Sequence, residues 1–169
     1  MFVLDTDVVS QLARSRPDPN VVAWLQAHSP SKIYTTTVTI EELRAGIEAV
    51  RRHDADKAVV LDRWLMRIVT FGQPQILPET AEAALTFGAM RETPALRNHV
   101  FTAPKARKLA LGNDLRIAAI AIAARATVVT GNARHFREIH KHFPLTGLYD
   151  PFRGVWAVEP GQENQLTLV

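Results

Sequence analysis

The chain has 169 residues, 47% hydrophobic and 22% charged, with a formal net charge of +3. That length suits one domain with a sizeable core, and that composition is ordinary for a globular protein in water. Cysteine is absent, which excludes disulfides, thiolate nucleophiles and cysteine-ligated zinc.

In chain order, Phe2 to Leu4 reads as a short buried strand that ends in two acids one residue apart, Asp5 and Asp7. Val8 to Ala13 reads as a helix, broken at Arg16-Pro17-Asp18-Pro19, and Val21, Val22, Trp24, Leu25 and Ala27 suit a second. The β-branched run Lys32 to Thr36 predicts a strand, followed by a helix over Ile40 to Val50. Another helix is expected from about Asp56 to Phe71, a short strand over Gln75 to Leu77, and a helix from Glu79 after Pro78. Thr93 to Leu111 reads as irregular. Leu115 to Ala126 is a strong helix pattern and Thr127 to Thr130 a strong strand. Val155 to Val158 and Leu166 to Val169 read as edge strands. Strands alternating with helices predict an α/β protein with a parallel sheet covered on both faces.

No basic segment precedes an apolar stretch at the N-terminus, so no signal peptide is expected. Ile117 to Val129, interrupted by Arg125, is too short to cross a bilayer. A cytoplasmic location is the expectation. Arginine supplies 15 of the 20 basic residues, and its planar fork suits phosphate contacts.

The acids carry the chemistry. An acid at the tip of a buried strand is desolvated and needs a cation or hydrogen-bond donors, which favours a functional role for Asp5. Asp7 is read as a helix N-cap before Val8-Val9 or as support for that site. In Thr39-Ile40-Glu41-Glu42, the spacing from Thr39 to Glu42 is that of a capping box, at a helix start on the same sheet edge as Asp5. Glu41 is expected on a solvated face. In Gly112-Asn113-Asp114, Asn113 is the expected N-cap, and Asp114 falls in the first turn, where the helix dipole favours an acid. Thr130 and Asn132 follow a strand, where they could hydrogen-bond a metal-bound water or a phosphate, or serve as turn and cap residues. His135, His140 and His142 match no helical zinc spacing and read as surface residues. Arg97, Lys105, Arg107 and Lys108, with Arg134, are candidates for contact with a phosphate backbone.

Four stretches in order resemble a PIN-domain ribonuclease of the VapC type, the toxin of a type II toxin–antitoxin pair. They are Leu4 to Ser10, Thr39 to Gly46, Asn113 to Ala119 and Val129 to Phe136. The resemblance implies a three-layer α/β/α fold with a central, mostly parallel sheet. It implies a single domain over residues 1–169, with core motifs in 2–137 and an extension in 138–169. It also implies metal-dependent endonucleolytic cleavage of RNA. By position, Asp5, Glu42 and Asp114 become the catalytic acids and the ligands of Mg2+ or Mn2+. Thr6, Asp7, Thr130 and Asn132 support them or contact phosphate. Asn132 falls where many members have a fourth acid, and His135 replaces an acid common in the next turn. The implied partners are the RNA substrate, a VapB-type antitoxin and a second copy in a homodimer, with DNA reached only through the antitoxin. Two alternatives stay open. One is a catalytically impaired PIN-fold module that binds RNA or protein. The other is a haloacid-dehalogenase-type phosphohydrolase with Asp5 as nucleophile, since Phe2 to Val9 also fits that family's opening.

Overall fold

In the computed structural model, residues 1–97 and 112–161 are described. The elements in chain order are β1 (Phe2–Leu4), α1 (Thr6–Val9), α2 (Pro19–Gln26), β2 (Ile33–Thr36), α3 (Thr37–Arg51), α4 (Ala55–Phe71), β3 (Gln75–Leu77), α5 (Ala81–Glu92), α6 (Asn113–Ala123), β4 (Thr127–Val129), α7 (Ala133–His140), β5 (Gly147–Asp150) and β6 (Val155–Val158). The strands form one sheet in the order β3-β2-β1-β4-β5-β6. All neighbours are parallel except β5 and β6. The expected α/β architecture is therefore present, including the strands at Gln75–Leu77 and Val155–Val158. The segment 166–169 lies outside the described residues.

Successive strand residues face opposite sides of the sheet, and the two cores follow from that alternation. Val3, Val128 and Leu148 pack on one face with Met90 of α5, Leu115, Ile117 and Ala118 of α6, and Phe136 and Ile139 of α7. Leu4, Ile33 and Val129 pack on the other with Val8 and Val9 of α1, Val21 and Trp24 of α2, and Ile68 of α4. Ala118, Ala119 and Ala121 are fully buried, so α6 lies close against its neighbours as its small residues predict. Among the described residues no helix is long and apolar enough to cross a membrane.

Some local expectations need correction. The helix expected from Ile40 starts at Thr37. Its cap is Thr36, whose side chain accepts from the Thr39 N–H at 3.0 Å. Thr39 is buried inside the helix, so the Thr39–Glu42 capping box does not form and Glu42 stands in the second turn. Asn113 does not cap α6 either. Gly112 does, at φ 66°, a left-handed conformation that glycine adopts without steric cost. The cap of α1 is Asp5 rather than Asp7. Gly147–Asp150 forms a strand that the sequence does not predict.

This topology creates one special edge. The chain leaves β1 towards β2 on one side and β4 on the other, so β1 and β4 flank a switch point. In open α/β sheets ligands bind at the carboxyl ends of the strands on either side of such a point. The ladder extends to that edge through Asp5 N–H to Val129 O at 3.0 Å and Thr130 N–H to Tyr149 O at 3.0 Å. Just beyond it, Gly131 makes a close approach. A Cβ there would lie 2.8 Å from Asp7 Oδ2 and 2.8 Å from the Phe152 ring. Gly131→Ala is expected to lower stability by about 1–3 kcal/mol through this overpacking, measured as a fall in the urea midpoint at constant slope. A midpoint equal to that of the parent protein contradicts the tight turn.

Candidate active site

Three strand-to-helix junctions, after β1, β2 and β4, and the start of α6 meet at this edge, and each delivers polar side chains. Asp5 is the first residue after β1 and is 5% exposed. Its Oδ1 accepts from the Thr6 N–H at 2.7 Å, which caps α1, and its Oδ2 accepts from the Thr130 hydroxyl at 2.7 Å. Thr130 stands at the end of the neighbouring β4, and its hydroxyl oxygen in turn accepts from the Asn132 N–H at 2.9 Å. Glu42 reaches in from α3. The Thr6 hydroxyl donates to one of its oxygens, and Asn113 Nδ2 donates to the other at 2.9 Å. Asp114 arrives from the first turn of α6. Its Oδ2 contacts Asn132 Nδ2 at 3.0 Å and His135 Nδ1 at 2.9 Å.

The acids expected at one edge thus form one connected polar network. Asp7 belongs to it as well. Its Oδ2 accepts from the Gly131 N–H at 2.8 Å, which links α1 to the turn after β4, while its Oδ1 is buried without a hydrogen-bond partner. His135 is a correction: it contacts Asp114 instead of standing apart on the surface. A detectable signal was its spacing, since Asn132 and His135 lie three apart at a helix start and so share a face. Glu41 is exposed as expected and pairs with Arg116 at 3.1 Å, and Arg116 also holds Glu79 at 2.8 Å. Arg116 thereby ties α6, which carries Asp114, to α3, which carries Glu42. Of the cationic candidates, Arg97 and Arg134 are exposed, and Lys105, Arg107 and Lys108 lie outside the described residues.

Burial pushes the Asp5 carboxyl well above the usual carboxylate range, and the charges of Asp7 and Asp114 push it further. The hydrogen bonds from Thr130 and Thr6 only partly oppose this. Asp7 is raised too, first by burial and then by Asp150 and Asp114, against the N–H groups of Gly131 and Val8. The protein surroundings therefore compensate only part of the cost of ionising these carboxyls. An all-oxygen carboxylate set of this kind fits a hard divalent cation, and the partnerless Asp7 Oδ1 leaves acceptor capacity unused. Among the described residues, no three acid or histidine side chains already surround one point at metal-binding distance. In this arrangement they are held by hydrogen-bond donors instead.

Several comparisons bear on these residues. The family model described as PIN domain matches residues 2–141. The plasmid stability protein StbB of Pseudomonas syringae pv. tomato is 31% identical over 140 residues, covering 80% of this chain and 91% of that protein. Toxin FitB of Neisseria gonorrhoeae is 32% identical over 91 residues, 54% of this chain and 65% of that protein. Ribonuclease VapC14 of Mycobacterium tuberculosis is 32% identical over 76 residues, 43% of this chain and 74% of that protein. The crystal structure of FitAcB from Neisseria gonorrhoeae superposes with a TM-score of 0.69 at 26% identity, covering 90% of this chain and 99% of that one.

The raised carboxyl has a consequence for stability. An unfolded aspartate titrates near pH 3.9, well below the folded Asp5, so the folded state binds the extra proton between the two values. The associated stability is present below about pH 4 and is lost as pH rises through the folded pKa. Asp5→Asn keeps the N-cap and removes the buried charge. In metal-free protein it is expected to raise the melting temperature at pH 7 by several degrees, at about 2–4 °C per kcal/mol. Below pH 4 the gain is expected to vanish. A variant that melts lower than its parent at pH 7 contradicts the electrostatic account.

Proposed function

The chain belongs to the PIN-domain family, and from that premise we propose that it is a metal-dependent endoribonuclease acting as the toxin of a toxin–antitoxin pair. The observation that carries the reading is the convergence of Asp5, Glu42 and Asp114, from three separate junctions, at the switch point of the sheet. The relatives named toxin and ribonuclease support the same reading. Residues 1–169 act as one PIN-like unit in this proposal.

Asp5, Glu42 and Asp114 hold Mg2+ or Mn2+. When bound, such an ion lowers the pKa of water and withdraws charge from a phosphate oxygen, the two needs of phosphodiester hydrolysis. The remaining work falls to the chain. Thr130 and the Thr6 N–H fix the direction of the Asp5 carboxylate, and the Thr6 hydroxyl and Asn113 fix that of Glu42. Asp7, braced by Gly131, keeps the junction after β4 against α1 and adds to the negative field that draws in a cation. Arg97, Lys105, Arg107, Lys108 and Arg134 contact the RNA backbone.

The likeness to toxin FitB and to the structures of FitAcB and of FitAB bound to a DNA fragment supports assembly with a partner protein. We assign this chain a VapB-type antitoxin, homodimerisation, and contact with DNA only through that antitoxin. Exposed apolar residues of α4, including Val60, Met66 and Phe71, offer surface for such assembly. Membership of the PIN family removes the phosphohydrolase alternative with a nucleophilic Asp5. The impaired binding module is retained as the second reading because Asn132 and His135 stand where an acid is common, and the cleavage assay separates it.

Millimolar Mn2+ is expected to raise the melting temperature of the wild type and to support RNA cleavage that EDTA abolishes. Asp5→Asn and Asp114→Asn are each expected to lower the cleavage rate by at least about a hundredfold, about 2.7 kcal/mol. Metal-induced stabilisation without cleavage of any RNA supports the binding module instead. Absence of both effects rejects the metal site.

A further inference from the structure

We propose that His135 supplies an imidazole ligand to the divalent ion held at Asp114, with Asn132 beside it, so that this chain favours Mn2+ over Mg2+. The inference deepens the metal-site reading above and rests on it. It starts from a triangle of polar atoms. Asp114 Oδ2 and His135 Nδ1 are 2.9 Å apart, and Asn132 Nδ2 is 3.0 Å from each of them.

The three contacts cannot all be hydrogen bonds at once. If His135 Nδ1 carries a hydrogen, it can donate to Asp114, but it then faces the Asn132 NH2, which has only donors to offer. If Nδ1 carries a lone pair, it can accept from Asn132, but that lone pair faces a carboxylate oxygen at 2.9 Å. In each tautomer one of the three contacts sets like against like. A cation resolves the conflict between Asp114 and the bare Nδ1. A half-turn of the Asn132 amide then presents Oδ1 where Nδ2 stands, which adds a third ligand atom.

The dimensions fit such an ion. Adjacent ligands of an octahedral ion with bonds of about 2.1 Å are about 3.0 Å apart, so the three atoms outline one face of an octahedron. Access is also available, since the side chains of His135 and Asp114 are 46% and 28% exposed. The ligand types set the preference. Carboxylate and carbonyl oxygen suit Mg2+ and Mn2+ alike, whereas an imidazole nitrogen favours first-row transition ions over Mg2+. A carboxylate at position 135 would not discriminate in this way.

The test uses full-length protein freed of any histidine tag and loaded with Mn2+, with echo-modulation EPR as the readout. Wild type is expected to show a directly bound nitrogen, whose pattern changes from 14N to 15N on selective labelling of histidine. His135→Gln is expected to lose that pattern. By titration, wild type is expected to bind Mn2+ more tightly than Mg2+, and His135→Asp to reduce that ratio on the order of tenfold. Mn2+ bound without a histidine nitrogen, or with an unchanged ratio in His135→Asp, overturns the inference and leaves the carboxylate site standing. No bound Mn2+ at all overturns both.

Discussion

The carboxylate of Asp5, buried at the end of β1, sets the conditions for the rest of the site. The strand is central, with β2 and β4 on either side, and Asp5 at its tip is buried. A charge in that position needs donors, and the chain supplies them from both flanks. The first turn of α1 gives a backbone N–H, and Thr130 at the end of β4 gives a hydroxyl. These two bonds fasten the β1 and β4 junctions together, and they offset only part of the cost of burial.

The surrounding network reads as support for that strained point. Glu42 and Asp114 are held by amide and hydroxyl donors that fix their direction, and Arg116 clamps the helices that carry them from the outer side. Asp7 and Asp114 both raise the electrostatic cost at Asp5. A fold selected for stability alone would not concentrate acids in this way, because each added carboxylate disfavours ionisation of the next. In the proposed metal-site reading, a divalent cation turns that mutual repulsion into attraction. On that reading the same electrostatics that oppose ionisation of Asp5 favour binding of the ion.

The frame and the three acids were legible because the signals are local. An apolar run ending in Asp5 and a β-branched run before the helix of Glu42 each mark a strand-to-helix junction, and a glycine-led turn before Asp114 marks a helix start. What escaped was set by tertiary contact. Thr36 and Thr39 are both good caps, and only the end of β2 decides that Thr36 takes the role and Thr39 is buried. Gly147–Asp150 has poor strand formers at both ends and becomes a strand because β4 offers it a ladder. His135 meets Asp114 across 21 residues, so its spacing from Asn132 marks the helix face it shares but not the partner it meets. In α4, Val60 and Phe71 are apolar yet 64% and 72% exposed, which an assignment of apolar residues to the core could not anticipate.

The central claim is that Asp5 is a buried carboxylate raised by desolvation and by neighbouring acids, and that in the proposed reading it is a ligand of the divalent ion. The most direct test is carbon-detected NMR titration of the Asp5 carboxyl, in metal-free protein and again with saturating Mg2+. The account predicts a metal-free transition well above the ordinary aspartate value of about 3.9, and one displaced to lower pH when the ion is bound. A metal-free Asp5 that titrates at the ordinary value, unmoved by the ion, would contradict it.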